Sequence, residues 1–192
     1  KYNKEMSTRV TTFHTIIPSQ VVIPLVQHIG APCKALVSVG DKVLLGQKIG
    51  DGEGLCVPVH ASVSGTVVAV EPRPHTSGRD VMAVVIENDF KDAAINVERC
   101  EDPMTQMDDD TILHKIREAG LVGMGGAGFP THVKLRTAID RKEDTLLING
   151  AECEPYITSD SATMVEKSDD IKTAIETLVK YFNIKEVILG IE

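Results

Sequence analysis

Up to about residue 90 the apolar positions come in short runs broken by Gly, Pro and Asp. The runs "QVVIPLVQHIG", "KALVSVGDKVLLGQKIG", "VPVHASVSGTVVAVEPRP" and "DVMAVVIEND" are dominated by Val and Ile, and most are too short for helices. β-Branched side chains are stiff in a helix and pack well on a pleated surface, so this half predicts a compact all-β unit. Gly40 and Asp41 sit between two such runs and predict a tight turn. "VGDKVLLGQ" and "VSGTVVAVEP" are similar half-turns in succession, as in a small sandwich built from quasi-repeats.

From about residue 109 the period changes. Ile112, Leu113, Ile116 and Ala119 share a helical face, with acidic residues ahead of them and Gly120 behind. "DTLLINGAE" predicts a buried strand, "SDDIKTAIETLVKYFNI" a second helix with Ser168 as N-cap, and "KEVILGIE" another strand. Strand, helix, strand is the order of a parallel α/β sheet. The expected fold class is thus an α+β chain in two parts. A β domain spans 1–92, a polar linker 93–108, and an α/β domain 109–192. The opening at Lys1 and the strand-like close lead us to expect a fragment of something longer, its α/β domain incomplete at the C-terminus.

Composition narrows the function classes. The 192 residues are 42% hydrophobic and 25% charged, which excludes a disordered tail, and no apolar run approaches bilayer length. Twenty basic against 28 acidic residues give a net charge of -8 with no dense Lys/Arg cluster, and Trp is absent, so a nucleic-acid partner is not expected. Cys33, Cys56, Cys100 and Cys153 form no CxxC pair and read as reduced thiols. His28, His60, His75 and His132 form no HxxxH or HExxH pair and read as surface or packing residues, so no metal ligand is assigned.

The richest stretch is "GLVGMGGAGFPTHVKL", where Gly123, Gly125, Gly126 and Gly128 precede Phe129, Pro130, Thr131 and Lys134. Glycines let backbone N–H groups approach an anion, a helix starting at Pro130 adds its free amides, and Lys134 adds a positive charge. The spacing is neither a Walker A loop nor a G-x-G-x-x-G after a strand. A phosphate cradle and a tight connector are both compatible with it. A second stretch, "LLINGAECEPYITSD", leaves a strand at Asn149 and Gly150 and brings in Glu152, Cys153 and Glu154. Asn149 offers an amide to a heterocycle, and the two carboxylates can accept from sugar or ribityl hydroxyls; the alternative is an Asn-Gly turn with solvated acids. The acids flanking Cys153 disfavour its thiolate.

With both loops in view, the chain resembles the RnfC family, the C component of the Rnf electron-transport complex, a membrane-bound ferredoxin:NAD oxidoreductase. The strings "QHIGAPCKALVSVGDKVLLGQKIG", "PVHASVSGTVVAVEPRPHTSGR", "GLVGMGGAGFPTHVKL" and "INGAECEPYITSD" carry the resemblance across nearly the whole chain. It implies a barrel-sandwich hybrid module related to biotinyl and lipoyl carriers, without their Lys-bearing hairpin, for which "GEGLCVPVH" stands. The second half is similar to the Rossmann-like flavin domain of the NADH-oxidising subunit of complex I, which binds FMN on "GRGGAGFPTG.K" and "NADESEPGT" loops. Carried over by position, Gly123, Gly125 and Lys134, with Gly126 and Gly128, would hold the FMN phosphate and ribityl. Asn149, Glu152 and Cys153 would line the isoalloxazine and ribityl side, and Phe129 and Glu154 would meet the nicotinamide nucleotide.

Met124, His132, Ala151 and the pair Tyr156-Ile157 depart from that pattern and bear on the NADH contacts more than on the phosphate site. The resemblance further implies NAD(H) as substrate and [4Fe-4S] clusters only beyond this chain, whose four cysteines lack cluster spacing. It implies other Rnf subunits as partners, ferredoxin reached indirectly, and a peripheral place on the cytoplasmic side of the membrane. No catalytic side chain is assigned, because the flavin does the redox chemistry, and the chain alone is expected to be inactive. A cobalamin-reducing flavoprotein has similar loops in the reverse domain order. A non-catalytic docking module is the alternative of a different class.

Overall fold

The computed structural model describes Lys4 and residues 16–97, 106–124, 128–152 and 154–191. These residues divide into two compact units, one of residues 16–97 with 107–137, the other of residues 138–191 with Lys4 and Gln106.

Seven strands make the larger unit: β1 (Gln20–Pro24), β2 (Lys34–Ala35), β3 (Lys42–Val43), β4 (Lys48–Asp51), β5 (Val59–His60), β6 (Gly65–Pro74) and β7 (Asp80–Asn88). They form a four-stranded antiparallel sheet in the order β1-β7-β6-β3 and a three-stranded one in the order β2-β4-β5. The β-rich half is therefore an all-β unit, as the Val/Ile runs predict, in the barrel-sandwich-like arrangement that the resemblance implies. β7 lies between β1 and β6, and its Ala83, Val84, Val85 and Ile86 are all fully buried, so that strand is apolar on both faces where a one-sided strand would alternate. A bulge between Val67 and Ala69 re-aims β6, leaving Val68 exposed between two registers. The core gathers Ile23, Leu25, Val43, Ile49, Val59 and Ile86 with two cysteines, Cys33 and Cys56. The predicted turn at Gly40 and Asp41 forms, with Gly40 at φ +97 and the Asp41 amide donating to Ser38 O at 3.1 Å.

Helix α1 (Asp109–Glu118) belongs to this unit. Asp108 caps it, its carboxylate accepting the Thr111 amide at 2.7 Å. The helix closes on Gly120 at φ +69, with Gly120 N–H on Arg117 O and Leu121 N–H on Ile116 O, a paired closure that needs a left-handed residue. Ile112 and Leu113 are buried, and the helix is tied to β4 by charge. Arg117 donates to Asp51 Oδ1 at 2.6 Å and to Gly52 O at 2.9 Å, while Lys48 bridges Asp51 and Glu118. Burial alone would push the Asp51 carboxyl up. The hydrogen bonds from Arg117, the Gly52 amide and Lys48 outweigh it and hold the group at about 2.

Helix α2 (Thr131–Arg141) spans the boundary between the units. The smaller unit holds β8 (Thr145–Asn149), α3 (Ser159–Glu166), α4 (Ser168–Phe182) and β9 (Glu186–Gly190). β8 and β9 pair in parallel, Thr145 opposite Glu186 through Asn149 opposite Gly190, as the strand–helix–strand order predicts. Two local expectations are corrected. β8 is not a buried strand: its residues alternate between exposed and half-buried, because among the described residues β9 is its one partner. Ser168 is the first residue of α4 rather than its cap, and Lys167 precedes it with no side-chain cap bond. Residues 159–166, to which the sequence reading assigns no element, form a helix.

Candidate cofactor site

The Gly-rich stretch lies on the larger unit as a closed loop. Val122 bridges Pro130, Gly123 N–H donates to Phe129 O at 2.9 Å, and Thr131 N–H to Leu121 O at 3.0 Å. Gly125 and Gly126 lie outside the described residues. Gly128 has φ +63, and a Cβ there would stand 3.0 Å from Gln27 O and 3.1 Å from His28 Cα. Its carbonyl accepts the Ile29 amide at 3.2 Å, so this glycine serves close backbone packing as well as any ligand. Phe129 is half-buried and Pro130 buried, and Met124 projects into solvent, 91% exposed. A cavity of about 400 Å³ lies between Gly123, Met124 and Gly128 on one side and His28, His75 and Thr76 on the other.

Lys134 stands exposed in the first turn of α2, with no ion pair among the described residues. His132 beside it is half-buried, its Nδ1 without a partner among the described residues; burial and then the Arg117 charge hold its pKa below the usual imidazole value.

The second predicted stretch belongs to the smaller unit and follows β8 directly. Asn149 Oδ1 accepts the Ala151 amide at 3.1 Å, the Asx turn the sequence allows. Glu152 is buried, 5% exposed, and its Oε1 accepts from Ser159 Oγ at 2.9 Å and from the Asp160 amide at 3.1 Å. It thereby serves the N-terminus of α3, where Thr158 makes no cap of its own. Its second oxygen, Oε2, is buried with no partner among the described residues. Burial raises the carboxyl, but the Asp160 amide, Ser159 and the Lys4 charge together bring it below the ordinary Glu value. Glu154 is exposed, and Cys153 lies outside the described residues.

Glu152 lines a cavity of about 420 Å³ past the carboxyl ends of β8 and β9, with Gly150, Thr158, Met164, Leu189 and Ile191. The structure thus brings Gly123, Gly128 and Phe129 together in one unit, and Asn149, Glu152 and Glu154 in the other. What sequence reasoning missed is on the first unit. His28, Cys33 and Cys56 each bring a ligand-type atom within 4.8 Å of the other two. No spacing rule would pair Cys33 with Cys56; only the β2-β4-β5 topology does.

Comparison with known proteins divides the chain elsewhere, because its second match takes in the Gly-rich stretch of the larger unit as well as the smaller unit. Residues 1–91 match the family described as RnfC barrel sandwich hybrid domain, and residues 116–192 match the Nuo51 FMN-binding domain. The chain is 44% identical over its whole length to the C component of the Na(+)-translocating ferredoxin:NAD(+) oxidoreductase complex of Acetobacterium woodii, covering 43% of that protein. It is 42% identical over 98% of its length to the C component of the ion-translocating oxidoreductase complex of Pectobacterium carotovorum, covering 25% of it. With the C component of the proton-translocating ferredoxin:NAD(+) oxidoreductase complex of Clostridium ljungdahlii it shares 41% over 92% of the chain and 39% of the relative. The chain thus spans less than half the length of these relatives.

Proposed function

The chain belongs to the RnfC family, and from that premise we propose that it carries the flavin and nicotinamide site of a peripheral subunit in an electron-transport complex. That complex passes electrons between NAD(H) and ferredoxin and couples them to ion translocation. The observation that carries the reading is the match of residues 116–192 to an FMN-binding domain, in a chain whose β8 ends at an open cavity with an unpartnered acceptor. Residues 1–92 are the barrel-sandwich module, 93–108 a linker and 109–192 the flavin domain on this account. The parallel pairing of β8 with β9 supports a Rossmann-like sheet for the last of these.

The residues present fit FMN. Glu152 Oε2 offers a carboxylate acceptor with no protein donor among the described residues, which a ribityl hydroxyl or a ring N–H satisfies. Lys134, exposed and unpaired among the described residues, supplies charge to a phosphate, beside the backbone of Gly123, Gly125, Gly126 and Gly128, of which Gly123 leaves room. Asn149 and Cys153 line the ring and ribityl with Glu152, and Phe129 and Glu154 meet the nicotinamide nucleotide. Bound FMN supplies the exchange between a two-electron hydride and single electrons.

The [4Fe-4S] clusters that receive those electrons belong to the further length of the relatives, and ferredoxin is reached through the other subunits. Among the described residues no helix is long and apolar enough to cross a membrane, and we place the protein on the cytoplasmic face, held by its partners. Anaerobic addition of NADH to the FMN-loaded chain tests the nicotinamide site. Bleaching of the flavin's visible absorbance is expected; bound flavin that stays oxidised would confine the reading to FMN.

A further inference from the structure

We propose that His28, Cys33 and Cys56 form a binding site for a thiophilic divalent d10 metal ion of the zinc type, set in the β-rich unit beside the segment that carries the Gly-rich loop. Cys33 and Cys56 are both buried, and their Sγ atoms lie 3.3 Å apart, within reach of each other but far beyond a covalent S–S bond. As thiols they share one S–H···S contact. Both turn to the single carbonyl of Val57, at 3.2 and 3.7 Å.

His28 is half-buried beside them, and its Nδ1 lies 3.0 Å from Ile29 O, an acceptor that fixes the proton on Nδ1. That leaves Nε2 as a lone pair, held at 3.2 Å by the Val57 amide. A ring N–H anchored on a backbone carbonyl is the usual arrangement behind a metal-bound imidazole, and here a metal would displace the Val57 amide from Nε2. Tetrahedral Zn(II) with bonds of about 2.0 to 2.3 Å needs ligand atoms about 3.5 to 3.8 Å apart. The thiol pair lies at 3.3 Å and all three atoms within 4.8 Å of one another, close to that spacing.

Charge selects the ion. Uptake of M2+ forms two M–S bonds and one M–N bond while two thiol protons leave to solvent, so the core gains no net charge. A monovalent ion would leave the buried pair of thiolates with an excess negative charge. Burial, then the Cys56 thiol and Asp51, push Cys33 up to about 12, with Arg117 opposing them. Because binding displaces thiol protons, it tightens as pH rises. Three protein ligands leave the fourth position to solvent, and the Val57 amide loses its acceptor, so the affinity falls below that of a four-ligand structural site.

The consequence reaches the proposed cofactor loop without depending on its function. Gly128 hydrogen-bonds Ile29 and packs on Gln27 and His28, so a metal that fixes His28 also fixes the seat of that loop.

The test uses the whole chain with Cys100→Ser and Cys153→Ser, which removes the other thiols. Anaerobic titration with Co(II) is followed by thiolate-to-cobalt charge-transfer and tetrahedral d–d absorption, then by displacement with Zn(II). One equivalent with both bands is expected, the charge transfer lost in Cys33→Ser or Cys56→Ser. His28→Gln should weaken binding by about tenfold or more and shift the d–d band. Absence of thiolate charge transfer at saturating Co(II) in the Cys100→Ser/Cys153→Ser chain overturns the proposal, whether or not the core variants fold. So does a charge-transfer band that persists unchanged in Cys33→Ser.

Discussion

Asp51, Lys48, Arg117 and Glu118 show how single charges join a helix to a sheet. Each is only 22–32% exposed, so their hydrogen bonds are shielded more than a surface pair's. The Asp51 pKa is depressed from 3.8 to about 2 in the folded chain, so the stabilisation is present above the unfolded value and lost as pH falls through the folded one. That shift corresponds to about 2 kcal/mol. Thermal melts from pH 6 down to about 2 should show that loss, and Arg117→Ala should flatten it while costing about 1–3 kcal/mol at neutral pH. A second residue-scale prediction concerns Gly128, whose φ of +63 and close contact with residues 27 and 28 leave no place for a Cβ. Gly128→Ala should destabilise the larger unit by about 1–2 kcal/mol in chemical unfolding. An unchanged midpoint would mean the loop does not rest there.

At the scale of elements, the strands of the first half were legible because Val and Ile runs and the Gly40 turn say one thing. The second half was less so, for identifiable reasons. α3 lacks an apolar stripe, and its N-terminus is served by Glu152, seven residues before Ser159 and outside any local capping pattern. "TLLIN" reads as buried from its leucines, yet Leu147 is 68% exposed. The candidate site could be read only as residue types in loops, and Gly128 and Glu152 have structural duties no motif states. The His28, Cys33 and Cys56 cluster was invisible, since 23 residues separate its cysteines. The β6–β7 pairing offers a sharp test of the topology: a Cβ on Gly65 would stand 1.9 Å from Glu87 O. Gly65→Ala should lower stability by about 2 kcal/mol or more, read as the shift in denaturation midpoint.

Across the whole molecule, burial is uneven. Apart from Pro130, every buried apolar side chain among the described residues lies between Ile23 and Leu113, while α3 and α4 hold none and β9 is exposed throughout. Amides of β1, β6 and β7 should therefore exchange with deuterium about a hundredfold or more slowly than those of β8, α3 and β9. Comparable protection in both units would contradict the uneven core.

Equilibrium titration of the chain with FMN, followed by flavin fluorescence, tests whether the proposed site holds the flavin. Saturable one-to-one binding is predicted, weakened about tenfold in Lys134→Ala through loss of the phosphate's charge partner. Absence of saturable binding by the folded chain, or equal affinity in the variant, would contradict the account.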